Sequence, residues 1–140
     1  MAEENAGTLR ILIVEDDFMV RQVIRGILEP FGACDVVVNG EEALQAFRIA
    51  WRKKQPYDLI CMDIMMPVMV GHQALVEIRQ VEKSLGIFGK DEVKAIMISA
   101  LDDARTVVQA YAKGGATSYI VKPIEKERLI NEIRDIGLID

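Results

Sequence analysis

Residues 9–17 read LRILIVEDD: a short run, apolar except for Arg10, that stops abruptly at three consecutive acids, Glu15, Asp16 and Asp17. A strand with one wet face alternates apolar and polar residues. This run does not, so it reads as a strand buried on both faces, as in a parallel sheet covered by helices. Four similar runs follow, at residues 33–38, 59–62, 93–98 and 118–121. Between them lie apolar residues at helical spacing. The first helix carries Met19, Val20, Val23, Ile24, Ile27 and Leu28 and is stopped by Pro30 and Gly32. The second, entered through Asn39-Gly40, carries Ala43, Leu44, Phe47, Ala50 and Trp51. The third carries Ala74, Leu75, Ile78 and Val81, the fourth Ala104, Val107, Val108, Tyr111 and Ala112, and the last Leu129, Ile130, Ile133 and Ile136. Strand and helix alternate five times. That order predicts an α/β fold, a five-stranded parallel sheet with helices on both faces joined by right-handed crossovers.

The chain has 140 residues, half of them hydrophobic, enough for one domain with one sizeable core. Its charge of −5, from 17 basic and 22 acidic residues, argues against a direct nucleic-acid surface. No apolar run reaches the ~20 residues needed to cross a bilayer, and residues 1–8 lack a basic start and an apolar core. They are expected to be a flexible tail, and the protein to be cytoplasmic, without a membrane partner. The domain is expected over 9–138, with no output domain in this sequence. Cys34 and Cys61 make no disulfide framework and read as buried reduced thiols.

In open α/β sheets, sites form beyond the carboxyl ends of the strands. The first strand ends in Glu15 and Asp16, the third in Asp63, the fourth in Ser99 and the fifth in Lys122. Each residue alone is unremarkable: an acid after a strand is often a helix cap, and a lysine beside a proline is often a surface lysine. The conjunction differs, because three carboxylates, a hydroxyl and an ammonium meet at one edge. Clustered carboxylates repel and need a cation. Mg²⁺ prefers hard oxygen ligands and takes one or two carboxylates with a phosphate oxygen. A carboxylate can also attack phosphorus, and phosphoryl transfer asks for alignment and charge compensation. Lys122 and Mg²⁺ would compensate charge, and Ser99 would donate a hydrogen bond.

The segments VEDD (14–17), MDIMMPVMVG (62–71), ISA (98–100) and YIVKP (119–123) resemble, in order, the signatures of CheY-like receiver domains of two-component response regulators. The resemblance covers roughly residues 9–138. It implies a flavodoxin-like (βα)5 fold with strand order 2-1-3-4-5. Asp63 becomes the phospho-acceptor. Glu15, Asp16, Asp63 and the Met65 backbone carbonyl become ligands of Mg²⁺, with Mn²⁺ as an alternative. Lys122 becomes the phosphate-binding lysine, with a cis bond to Pro123, and Asp17 is expected to start a helix. The implied donor is a sensor histidine kinase or a histidine phosphotransfer protein. The implied switch moves Ser99 and rotates Tyr119, which would otherwise be a static, half-buried edge aromatic. The implied output surface spans the fourth helix, fifth strand and fifth helix, including Arg105, Gln109, Lys126 and Arg128, and binds a downstream protein. Phosphorylation-dependent dimerisation stays open. On this reading the chain is a phospho-accepting signalling domain, not an enzyme in the ordinary sense.

Some positions depart from the pattern or mean less. Val70 stands where the family often has Asp. The connection over residues 83–92 is long, either an extended third helix or a partner-binding loop. Met65 and Leu101, two residues beyond Asp63 and Ser99, are apolar and cannot orient an attacking water, which predicts a long-lived phosphoryl group. His72 reads as surface, Trp51 as core, and Met62, Met65, Met66, Met69 and Met97 as packing.

Three alternatives compete. An aspartyl-phosphate phosphatase would carry a second Asp where Met65 stands. A phosphorylation-independent scaffold would have lost one of the acceptor, acids or lysine, all present here. A nucleotide- or flavin-binding protein would need a glycine-rich loop after the first strand, where three acids stand instead.

Overall fold

The computed structural model describes residues 9–64, 71–99 and 115–140. The sheet comprises β1 (Leu9–Val14), β2 (Gly32–Val37), β3 (Leu59–Asp63), β4 (Lys94–Ser99) and β5 (Ser118–Val121). The helices are α1 (Phe18–Leu28), α2 (Gly40–Arg52), α3 (Gly71–Ser84) and α4 (Lys126–Asp135), with 3-10 turns at Glu29–Phe31 and Gly89–Asp91. α4 is the last of the helices predicted from sequence; the fourth predicted helix lies outside the described residues.

All strand pairs are parallel and the order is β2-β1-β3-β4-β5. Side chains of β1 alternate between two cores. Leu12 and Val14 join Ile60, Met62, Ala95 and Met97 under α2 and α3, around Phe47, Leu75 and Ile78. Ile11 and Ile13 join Leu59, Cys61, Ile96, Ile98 and Ile120 under α1 and α4, around Ile24, Leu28, Leu129 and Ile133. Two buried faces explain why β1, β3 and β4 read as continuous apolar runs.

Helix starts follow from short polar side chains. Asp17 Oδ1 accepts the Val20 amide at 3.1 Å and caps α1, the role expected of it. Asn39 caps α2 by accepting the Glu42 amide at 2.8 Å, and Glu42 reaches back to the Val38 amide at 3.0 Å. Gly32, extended in β2, lies so close to β1 that a Cβ would sit 2.1 Å from the Leu9 carbonyl oxygen.

The structure corrects several details. β2 and β4 are each displaced by one residue from the predicted runs, and β4 takes in Ser99. Met19 and Val23, predicted at helical spacing with the core residues, are 70% and 48% exposed. The core-facing stripe of α1 is narrower, formed by Ile24, Ile27 and Leu28 with Val20 at its margin. Trp51 packs against the core but is only partly buried. Cys61 is buried and Cys34 partly so; both are free thiols.

The long connection is partly helix and partly anchored turn. α3 runs to Ser84, and the rest is held by Glu82, a fully buried carboxylate. Glu82 pairs with Arg79 at 2.7 Å and accepts the Val93 amide at 2.7 Å, while its own carbonyl accepts the Ile87 amide at 2.9 Å. Arg79 also donates to the carbonyls of Val93 (2.8 Å) and Gly115 (2.8 Å). One ion pair thus fastens α3 to the entries of β4 and β5. Removing one member of a buried pair leaves the other charge without compensation. Glu82→Ala is therefore expected to cost about 3–5 kcal/mol, read as a lower urea midpoint. A change below about 1 kcal/mol, the scale of an exposed pair, would show that the carboxylate does not hold the connection.

Candidate functional site

The carboxyl ends of β1 and β3 carry Glu15 and Asp63, and the residue after β5 is Lys122. Because β1 and β3 are neighbours with Val14 opposite Met62, the residues that follow, Glu15 and Asp63, emerge side by side. Both are buried, Glu15 completely and Asp63 to 4% exposure, whereas Asp16 is exposed. One carboxylate oxygen from each of Glu15, Asp16 and Asp63 lies within 4.8 Å of the others. Lys122 Nζ stands 3.1 Å from Asp63 Oδ2 and 3.3 Å from Glu15 Oε1.

The electrostatics follow from burial. Burial raises the Glu15 pKa, the Asp17 amide lowers it, Asp63 raises it and Lys122 lowers it; the balance pushes the carboxyl up to about 7. Burial also works against the Lys122 charge, but the Asp63 hydrogen bond and the charges of Asp63 and Glu15 outweigh it, so its pKa is raised. Glu15 Oε2 accepts the Asp17 amide at 3.1 Å, whereas Oε1 is buried without a hydrogen bond, near Lys122 but not aligned with it. A buried acceptor left over in a ring of three carboxylates is what a hard divalent cation satisfies, so the donor set fits one.

Ser99 ends β4 and is buried; its carbonyl accepts the Lys122 amide at 2.6 Å, which joins the strand ends carrying the hydroxyl and the ammonium. Tyr119, on edge strand β5, is partly buried against the core under α2 and α3. The Lys122–Pro123 peptide bond is cis, as expected. Met65, Met66, Met69, Val70, Leu101, Arg105 and Gln109 lie outside the described residues, and the side chain of His72 is likewise not described.

One contributor escaped the sequence reading. Arg21 Nη1 donates to the carbonyls of Glu15 (3.1 Å) and Asp16 (3.3 Å) and so braces the acidic loop. Its guanidinium also lies over the Phe18 ring, 5.5 Å from the centroid. A signal existed: a cation near a helix N-terminus opposes the helix dipole unless a local acceptor holds it.

Residues 11–134 match the family model described as the response regulator receiver domain. The two-component response regulator ORR41 of Oryza sativa subsp. japonica is 38% identical over 124 residues, covering 86% of this chain and 88% of the relative. The receiver domain of the histidine kinase CKI1 from Arabidopsis thaliana, in complex with Mg²⁺, superposes with a TM-score of 0.79 at 31% identity and covers 96% of each chain. The receiver domain of Ssk1 from Saccharomyces cerevisiae, in co-crystal with the histidine phosphotransfer signalling protein Ypd1, superposes with a TM-score of 0.80 at 26% identity, covering 94% of this chain and 90% of that one. Among the described residues no helix is long and apolar enough to cross a membrane. With its motifs, strand order, acidic cluster and family match in agreement, the chain belongs to the response regulator receiver domains of two-component signalling.

Proposed function

We propose that this chain is a cytoplasmic phosphorylation switch whose receiver unit spans residues 9–138, with 1–8 as a tail, and whose acceptor is Asp63. The observation that carries the reading is the meeting of Glu15, Asp16 and Asp63 within 4.8 Å around a lysine bonded to Asp63. One Asp63 oxygen attacks the phosphorus of a phosphohistidine. The P–O bond forms as the P–N bond breaks, and the imidazole leaves with the electron pair and takes up a proton. Lys122 compensates charge on the phosphoryl oxygens, and Ser99 donates a hydrogen bond to one of them. Glu15, Asp16, Asp63 and the Met65 carbonyl would hold Mg²⁺, with Mn²⁺ as an alternative. When bound, the ion neutralises charge on the acceptor and the incoming phosphoryl group.

A donor is expected to be a histidine kinase or a phosphotransfer protein, the latter being what the Ssk1 receiver domain is crystallised with. Beside Lys122 the surface is suited to a protein donor: Phe18 and Met19 are 60% and 70% exposed, and Met19, Val20 and Val23 form a groove with Pro123 and Ile124. Readout would pass through Ser99 and Tyr119 to a downstream protein, over a surface including the exposed Lys126 and Arg128. The aspartyl-phosphate phosphatase gains nothing from the geometry, since no further acid joins the described cluster.

Intact-mass measurement after incubation with acetyl phosphate tests the acceptor. A single adduct is expected with Mg²⁺, none with chelator and none in Asp63→Asn. Failure to form the adduct with Mg²⁺ bound would leave a phosphorylation-independent scaffold. The raised Glu15 pKa sets a pH dependence. The folded value of about 7 exceeds the ordinary 4.5, so in chelator this group's contribution to stability is complete below 4.5 and is lost as pH rises through 7. Mg²⁺ competes with that proton, so its affinity falls as pH drops through 7, which calorimetric titration reads; constant affinity across that range would place the proton elsewhere. Lastly, Met65→Asn with Leu101→Glu is expected to shorten the phosphoryl lifetime about tenfold, equivalent to about 1.4 kcal/mol of barrier. Equal decay rates would remove these two positions as the cause of slow hydrolysis.

A further inference from the structure

α2 and α3 run back from the site, so their C-terminal ends reach the opposite edge of the sheet. There they part around a groove of about 410 Å³ lined by Arg48, Trp51, Arg52, Val81, Leu85 and Ile87. Its apolar part is the Trp51 ring, packed on the core, with Val81, buried Ile87 and Leu85, which is 53% exposed. Its polar side chains are Arg48 and Arg52, both exposed. Among the described residues neither the Arg48 nor the Arg52 guanidinium has an ion pair or hydrogen bond. The lining contains no side-chain acceptor.

The charge on the α2 wall of the groove is opposite to that of the protein. From Ala43 to Tyr57 the chain carries Arg48, Arg52, Lys53 and Lys54 and no acid, against a net charge of −5 overall. The helix dipole explains cations in the last turn of α2, Arg52 and the two lysines after it. It does not explain Arg48, a turn earlier. The neighbouring acid Glu82 offers no relief, being committed to Arg79 and the Val93 amide.

We propose that this groove docks an acidic peptide segment of a partner protein, one that sets apolar side chains on Trp51, Val81, Leu85 and Ile87 and carboxylates against the exposed guanidinium groups of Arg48 and Arg52. A shallow trough between two helices suits an amphipathic segment, and the unpartnered donors select an acidic one. The site lies at the far edge of the sheet from Asp63, so it is a separate surface from the phosphorylation site.

Trp51 is the only tryptophan, so its emission reports on the groove directly. The full chain is titrated with a synthetic amphipathic peptide of about twelve residues, composed of Glu and Leu, and with its Gln-for-Glu analogue. A saturable shift of Trp51 emission is expected with the acidic peptide, weakened about tenfold in the analogue, in Arg48→Gln/Arg52→Gln and in Leu85→Ser, and reduced by salt. Arg48→Gln/Arg52→Gln is expected to accept a phosphoryl group on Asp63 like the parent, which shows that the exposed substitutions leave the fold intact. The proposal is overturned if the acidic peptide produces no shift, or if it binds the double variant equally well. It is also overturned if acetate alone reproduces the shift, marking a small-anion site. Emission that changes on dilution without peptide would assign the groove to a second copy of the chain, and an amide-shift footprint centred on α1 would assign binding to the other apolar surface; both overturn it.

Discussion

The structure is organised around an imbalance of charge. Glu15 and Asp63, both buried, face one lysine that stands close to both, and exposed Asp16 adds a third negative charge. Placing two carboxylates in a poorly solvated site is costly, and the cost shows in the raised Glu15 pKa. The strands that deliver these groups are anchored by cores on both sides, so the carboxylates cannot swing apart into water. The rigid parallel sheet and the polar site are two sides of one arrangement. The apolar packing sustains a local excess of negative charge, and that excess is what a bound cation would relieve.

The two faces of the sheet are secured differently. Under α2 and α3 the Arg79–Glu82 pair ties one helix to the starts of β4 and β5. Under α1 and α4, packing is supplemented by Ser118, whose hydroxyl donates to Glu132. Among the described residues the N-terminal part of α1 has no such cover, and Phe18, Met19 and Val23 are 60%, 70% and 48% exposed beside the site. This exposed apolar surface therefore lies beside the acidic cluster, while on the other face a buried ion pair holds α3 to the sheet.

Much of this was legible from residue order. The five apolar runs gave the sheet because burial on both faces removes alternation, and the acids, serine and lysine at the run ends gave the site because those ends share one edge. What escaped the reading depends on distant partners. Glu82 occupies a polar position of a helix and looks solvated; its burial is fixed by an amide eleven residues later, which periodicity does not register. Arg21 looks like surface charge until its carbonyl acceptors are located. Met19 and Val23 carry the spacing of a buried stripe, but spacing counts apolar residues without saying whether a neighbour covers them. Tyr119 and Ser99 were singled out by motif, and the roles expected of them involve motion that residue order does not describe.

Lys122 links the acidic cluster to the ends of β4 and β5. Its ammonium lies between Asp63 and Glu15, and its amide donates to the Ser99 carbonyl at 2.6 Å, so one residue joins the two buried carboxylates to the end of β4. Tyr119 lies three residues before it, on edge strand β5, packed against the core under α2 and α3. A doubly charged group arriving on Asp63 would meet this ammonium first, and any displacement of it would be carried by the β4–β5 register that pairs Ser99 with Val121. Chemical charge and mechanical connection therefore meet in a four-residue strand at the edge of the sheet, where adjustment disturbs less packing than it would in the centre.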